Sequence, residues 1–249
     1  MVYFVGAGPG DKELITVKGL KTLAVTDCII YAGSLVNPEL LEYGKKGCTI
    51  HDSAKMTLED VIETIVENEK KGWTTVRLHT GDPSIYGAIK EQIDILEEKG
   101  ITYEVIPGVS SFAGAAAALG AEFTLPSVSQ TVILTRMAGR TPVPEKEDIS
   151  ALAKISASMA IFLSVGMLEK LSEKLMEGGY SGDTPAAIVY KATWPDEKII
   201  RTTIVELPEA GKEISKTAIV LVGNFLGSEY ERSLLYHPEF THGYRKGTE

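Results

Sequence analysis

The chain has 249 residues, 44% of them hydrophobic and 24% charged, with a formal net charge of −9. That length holds one large α/β domain or two of ordinary size, and the acidic balance argues against a general nucleic-acid binder, which needs a basic face. The longest apolar runs, such as 218–222, are far too short to cross a bilayer, and no basic leader precedes the first strand pattern, so a cytoplasmic protein is expected. Cys28 and Cys48 lack metal-ligand spacing, and His51, His79, His237 and His242 form no HxxxH or HExxH pattern. No protein-held metal is expected.

Up to residue 120 the pattern alternates strand and helix. A short apolar strand at 2–5 enters the turn Gly6-Ala-Gly-Pro-Gly10, a helix is expected over 13–25, and a strand over 28–31. Thr57-Leu-Glu-Asp60 reads as a capping box, and the helix it opens carries Leu58, Val61, Ile62, Ile65 and Val66 on one face. Gly72 stands where a glycine ends such a helix. A strand at 74–80, a helix at 86–99 stopped by Gly100, and a strand at 101–106 complete a parallel α/β sheet.

A small-residue helix at 111–119 leads to Leu125-Pro-Ser-Val128, read as a domain joint, which gives domains at 1–120 and 121–249. Beyond the joint, strands are expected at 131–136, 160–164, 186–191, 199–205 and 217–222, with helices near 147–156, 167–177 and 206–214. Only a short connection containing Trp194-Pro-Asp-Glu197 separates the third and fourth strands, which implies an antiparallel hairpin and a mixed sheet. The expected fold is therefore two α/β domains with a cleft between them, the first mainly parallel and the second mixed. The charged, aromatic tail from 228 is expected to be poorly ordered.

Two further turns carry the chemistry. Gly81-Asp-Pro-Ser-Ile-Tyr-Gly87 follows one strand and Pro107-Gly-Val-Ser-Ser111 follows the next, where an open parallel sheet binds its ligands. Asp82 either accepts hydrogen bonds from a ligand amine or ribose, or caps a helix opening near Ser84; Ser110 and Ser111 are equally plain helix caps. The first turn departs from the dinucleotide fingerprint, because Asp11 occupies the sixth position and Tyr31 and Ala32 stand where a ribose-binding acid belongs. A nicotinamide oxidoreductase stays open on that turn alone, as does a non-catalytic binding module. Arg136, Arg140 and Lys191, near predicted strand ends, suit a substrate carboxylate.

The stretches Gly6-Ala-Gly-Pro-Gly-Asp11, Leu14-Ile-Thr-Val-Lys-Gly-Leu20, Thr80-Gly-Asp-Pro83 and Pro107-Gly-Val-Ser110 together resemble the tetrapyrrole (corrin/porphyrin) methyltransferases over nearly the whole chain. Gly81–Gly87, Gln130-Thr-Val-Ile-Leu-Thr-Arg136 with Gly139-Arg-Thr-Pro-Val-Pro-Glu145, and Tyr190-Lys-Ala-Thr-Trp-Pro-Asp-Glu197 are similar to the members acting at C11 of precorrin-4 or its cobalt form, in cobalamin synthesis. The resemblance implies the tetrapyrrole methylase fold, a homodimer, a tetrapyrrole substrate and S-adenosylmethionine, with S-adenosylhomocysteine as product. It places cofactor contacts on Pro9, Thr80, Gly81, Asp82, Ile85, Ser110, Ser111, Leu163 and Ala192, with Thr217 and Ala218 near the adenine. Leu163 and Ala192 replace the methionine and glycine common in the family. It gives Arg136, Arg140 and Lys191 to the substrate's acidic side chains, and leaves His79, Asp82 and Tyr86 as candidate bases. Another tetrapyrrole position, including uroporphyrinogen III, is the nearest alternative.

Overall fold

The computed structural model describes residues 1–248, which divide into two units, Met1–Gly114 with Lys191–Asp196, and 115–190 with 197–248. The division falls inside a helix at 114/115, where the sequence reading sets the joint at 120/121, and 191–196 groups with the first unit. No described helix is long and apolar enough to cross a membrane.

The first unit contains β1 (Val2–Gly6), α1 (Val17–Leu23), β2 (Cys28–Tyr31), β3 (Thr49–Asp52), α2 (Leu58–Lys70), β4 (Thr75–His79), α3 (Lys90–Glu98) and β5 (Tyr103–Ile106), and α4 (Ser111–Leu119) follows. The sheet order is β3-β2-β4-β1-β5, every pairing parallel. Alternation along β1 sends Phe4 to one face and Val5 to the other. Phe4 joins Val61, Ile62, Ile65 and Leu96, while Val5 joins Ile15, Leu23, Val36 and Leu40.

The capping box at Thr57 forms with both bonds, Thr57 N–H to Asp60 at 2.8 Å and Asp60 N–H to Thr57 Oγ1 at 3.2 Å. Gly72 (φ +70°) and Gly100 (φ +66°) take the left-handed conformation that ends α2 and α3. Two helix starts differ from expectation. Thr16 caps α1 through Gly19 N–H, so residues 12–14 form a separate 3-10 turn. Residues 86–89 precede α3, and positive φ at Tyr86 and Ala88 keeps them out of the helix.

The second unit holds β6 (Val132–Arg136), α5 (Ile149–Ala153), β7 (Ser158–Phe162), α6 (Leu168–Glu177), β8 (Pro185–Tyr190), β9 (Lys198–Thr203), α7 (Leu207–Ala210) and β10 (Ala218–Val222). Its order is β6-β7-β10-β8-β9; β6 and β7 pair in parallel and the rest antiparallel, so the sheet is mixed and β8–β9 is the expected hairpin. Leu171, Leu175, Ile188, Leu207 and Val220 share its core. The helix expected at 206–214 stops after four residues at Gly211, where a Cβ would meet Ile188 Cδ1 at 2.6 Å. The tail has local structure. Ser233 caps a 3-10 turn at Leu234–Tyr236, and the Arg245 guanidinium donates to the carbonyls of Leu235 (3.0 Å) and His237 (2.6 Å).

Candidate functional site

Three adjacent strands, β4, β1 and β5, end side by side, and each is followed by a glycine turn. Register explains the meeting: Gly6 pairs with His79 and Val5 with Ile106, so Gly81 and Gly108 emerge beside Gly6. A Cβ on Gly6 would lie 2.5 Å from Gly108 Cα and 2.7 Å from the Gly81 oxygen, distances at which backbone overlaps backbone. A reciprocal bridge ties the first two turns, with Gly8 N–H donating to Gly81 O (3.2 Å) and Gly81 N–H to Gly8 O (2.8 Å). The strand order reverses here, and ligands of open α/β sheets sit at such a point.

Asp82 lies between the second and third turns as a brace. One carboxylate oxygen accepts from Ser84 N–H (2.8 Å) and from the Ser84 hydroxyl, and the other from Gly108 N–H (2.8 Å). Burial pushes its pKa up, but the hydrogen bonds from Ser84 and Gly108 outweigh that and hold it below the usual carboxylate range. Both oxygens are engaged by the scaffold, and the lowered pKa makes Asp82 a weaker base than an ordinary carboxylate.

His79 lies deeper. It is 5% exposed, and burial, helped by the Arg77 charge, lowers its pKa to about 3. It is a neutral imidazole in the core, its ring 6.0 Å from Phe4, and Nε2 has no partner among the described residues. Beside it runs a buried polar chain that sequence reading missed. Arg77 donates to Ile30 O (2.8 Å) and Gln92 Oε1 (2.9 Å), and Gln92 Nε2 donates to Ala88 O (2.9 Å). That chain holds the strained segment containing Tyr86, which is 48% exposed next to the second turn.

The first turn is engaged on nearly every side. Ala7 N–H donates to His79 O (2.7 Å), Asp11 N–H to Thr193 Oγ1 (3.0 Å), and Glu13 N–H to Asp11 Oδ1 (2.9 Å). Asn37 Nδ2 donates to Gly10 O (2.9 Å) and Trp194 Nε1 to Pro9 O (3.1 Å). A phosphate cradle needs several free N–H groups, and here those of Ala7, Gly8 and Asp11 are spent within the protein, while Pro9 has none. Asn37 was not singled out in the sequence, although Asn37-Pro38 marks a turn and the residue is buried. By contrast, among the described residues the hydroxyls of Thr80, Ser110 and Ser111 take no part in any hydrogen bond.

Of the other candidates, Pro9 and Ala192 are buried in the first unit and Ile85 is half-buried. In the second unit Leu163 is 66% exposed just after β7, and Thr217 and Ala218 stand at the start of β10. The Arg136 guanidinium closes the loop beyond β6, donating to the carbonyls of Met137 (3.1 Å), Thr141 (3.2 Å) and Pro142 (2.7 Å). Arg140 is exposed on that loop. Lys191 pairs with Asp196 at 2.6 Å. Eight non-glycine residues among those described have positive φ, and Tyr86, Leu163, Lys191 and Thr217 are four of them. Such strain collects where a ligand is held. Among the described residues no group of three or more His, Cys, Asp or Glu is placed to hold a metal.

Buried glycine turns with unspent hydroxyls, and no free phosphate cradle, fit a neutral-backbone small-molecule site better than a dinucleotide one. The comparisons agree. The family model for tetrapyrrole (corrin/porphyrin) methylases matches residues 1–208. A cobalt-precorrin-4 C(11)-methyltransferase of Methanocaldococcus jannaschii is 56% identical over 248 residues, 98% of this chain and 96% of the relative. A precorrin-4 C(11)-methyltransferase of Pseudomonas aeruginosa is 46% identical over 249 residues, 99% of each chain. The X-ray structure of a cobalamin biosynthetic enzyme, a cobalt precorrin-4 methyltransferase, matches at a TM-score of 0.89 and 48% identity, over 91% of this chain and 96% of that one. With the strand-end turns, the mixed second sheet and a match over most of its length in agreement, the chain belongs to the tetrapyrrole (corrin/porphyrin) methylases.

Proposed function

We propose that the chain is an S-adenosylmethionine-dependent methyltransferase acting at C11 of precorrin-4, with or without cobalt, in cobalamin synthesis. The observation that carries the reading is the near-full-length identity to relatives of that name, 56% for one and 46% for another. The geometry suits the cofactor in two respects: the glycine turns let a ligand approach the backbone closely, and Thr80, Ser110 and Ser111 offer unspent hydroxyls to its polar groups.

When bound, S-adenosylmethionine supplies a methyl group already activated by a positive sulfur, so the protein needs no covalent nucleophile. The work left to these residues is placement and exclusion of water. In this proposal Pro9, Thr80, Gly81, Ile85, Ser110, Ser111 and Ala192 hold the cofactor, joined by the backbone of Asp82, and Leu163, Thr217 and Ala218 are further contacts. Asp82 keeps the second and third turns in register through Gly108 rather than moving a proton. Arg136 and Arg140 supply positive charge for the acidic side chains of the tetrapyrrole; Lys191 does so by exchanging Asp196 for a substrate carboxylate. Tyr86 is the remaining candidate if the attacking carbon must lose a proton.

The test is transfer of a labelled methyl group to precorrin-4 and cobalt-precorrin-4, with uroporphyrinogen III as control, alongside calorimetric titration with S-adenosylhomocysteine and NAD. Labelling of the precorrin-4 forms and saturable S-adenosylhomocysteine binding are expected. Labelling of uroporphyrinogen III alone would move the reaction to another position, and binding of NAD alone would overturn the reading. A cytoplasmic homodimer belongs to the same proposal, and sedimentation reads its assembly.

A further inference from the structure

The segment 191–196 links β8 to β9, yet it groups with the first unit. Its Trp194 lies directly against Gly10. A Cβ there would overlap Cδ1 and Nε1 of the indole and sit 2.8 Å from the Ala192 oxygen. Gly10 has no left-handed φ, so its backbone does not call for glycine. The indole, with the Ala192 oxygen behind it, is the reason no side chain fits there.

Polar contacts run the same way. Trp194 Nε1 donates to Pro9 O (3.1 Å), and Thr193 Oγ1 accepts from Asp11 N–H (3.0 Å). Gly114 leaves room on the other side, where a Cβ would press on Pro9 Cβ at 2.9 Å and Thr193 Cγ2 at 3.3 Å. The segment is strained: Lys191 has φ 47° and the β-branched Thr193 has φ 69°. Such backbone persists only where the surroundings over-determine it. Lys191 closes the segment, paired with Asp196 at 2.6 Å and standing 5.3 Å above the Trp194 ring.

We infer that Trp194 is a positioning residue of the cofactor site, seated on Gly10 so that Pro9 and Ala192 are held as one rigid piece. The inference rests on the S-adenosylmethionine reading of these turns. Pro9 and Ala192 come from distant parts of the chain, and the indole touches or bonds the turn beside each of them. A ligand gripping both would lose affinity once the lock is released, because the freed turns must be ordered at the moment of binding.

The experiment compares the full-length protein with Trp194→Phe, Trp194→Ala, Gly10→Ala and the double variant Gly10→Ala/Trp194→Ala. Calorimetry with S-adenosylhomocysteine reads affinity, and thermal unfolding is followed on the same samples. Trp194→Phe keeps most of the ring but removes one hydrogen bond, and affinity is expected to fall about five- to tenfold. Trp194→Ala falls further, and Gly10→Ala is costly alone but costs less on top of Trp194→Ala, since the ring is gone and only the Ala192 oxygen at 2.8 Å remains to be met. The chain has two tryptophans, so in a Trp73→Phe background Trp194 is the sole indole and its emission should shift as S-adenosylhomocysteine is added. Affinity within twofold of wild type in both Trp194 variants, with only the unfolding temperature changed, overturns the positioning role. Wild type failing to bind S-adenosylhomocysteine overturns the methyltransferase reading and this inference together.

Discussion

Replacing Gly108 with alanine tests the meeting of the three turns. Its Cβ would overlap the Gly81 carbonyl oxygen and lie 2.7 Å from Gly6 Cα, and both neighbours are backbone. The register of β1 with β4 and β5 fixes them, so neither can yield as a side-chain end would. Overpacking ordinarily costs about 1–3 kcal/mol, and a backbone clash belongs at the top of that range. Any shift of the turn also weakens the bond from Gly108 N–H to the ionised Asp82, of a kind worth about 1.5–3 kcal/mol. The sum is roughly 3–6 kcal/mol, or a fall of roughly 6–24 °C in unfolding temperature for a protein of this size. Gly108 has no left-handed φ, so alanine there without a clash would stabilise by about 0.4–1 kcal/mol, the opposite sign. Gly100→Ala and Gly72→Ala are the controls, since both sit at positive φ with nothing within 4 Å of an added Cβ. They should cost about 1 kcal/mol each. Scanning calorimetry of the three variants decides the matter: Gly108→Ala no worse than Gly100→Ala would refute the close approach.

The remaining predictions concern buried polar groups and the charge beyond β6. His79 has a folded pKa of about 3 against an unfolded value near 6.5, so the unfolded chain binds a proton that the native state refuses. Its contribution is whole above about pH 6.5 and is lost as pH falls toward 3, by at most about 1.4 kcal/mol per pH unit. Urea unfolding at pH 7 and pH 4.5 should show a shallower pH dependence in His79→Phe. Gln92→Leu removes the acceptor of Arg77 and the donor to Ala88 O, and should cost about 2–4 kcal/mol in chemical denaturation, as befits a buried guanidinium left short of a partner. Arg136→Ala should raise the Michaelis constant for the tetrapyrrole about tenfold, the loss of one charge-assisted contact, with S-adenosylhomocysteine affinity near wild type in calorimetry. Equal loss of both would argue that the variant acts by opening the loop at 137–142.

Elements were legible where one local signal sufficed. The stripe on α2, its capping box and the glycines at 72 and 100 are periodicity and end chemistry, and they stand in the structure as read. The β8–β9 hairpin followed from the lack of room for a helix between two apolar runs. β3 was missed because Thr49-Ile-His-Asp52 is a half-exposed edge strand paired only with β2, without the apolar run of its neighbours. The start of α3 was placed early because 86–89 carry no helix breaker but Gly87. What excludes them from the helix is positive φ at Tyr86 and Ala88, in a segment tied through Gln92 to Arg77 on β4, a link from outside the helix that local propensity does not report.

The sequence pointed to strand-end turns without naming their chemistry, and the first glycine turn shows why. A glycine run after a strand announces close approach without saying what approaches. In a dinucleotide site the answer is a phosphate, met by free N–H groups. Here Gly6 admits the backbone of Gly108 and Gly81, and Gly10 admits an indole from residue 194. Asp11, the residue that breaks the fingerprint, caps Glu13 N–H with its side chain and gives its own N–H to Thr193. The departure at one position thus signalled a turn whose Ala7, Gly8 and Asp11 N–H groups are taken up inside the protein. Asp82 obeys the same logic. Between a cap and a ligand contact its residue type was neutral, and in the fold its carboxylate caps Ser84 and reaches Gly108, brought in by the β1–β5 register. Serine and threonine hydroxyls nearby that the scaffold leaves unspent are therefore better evidence for a ligand than the charged residue that first drew the eye.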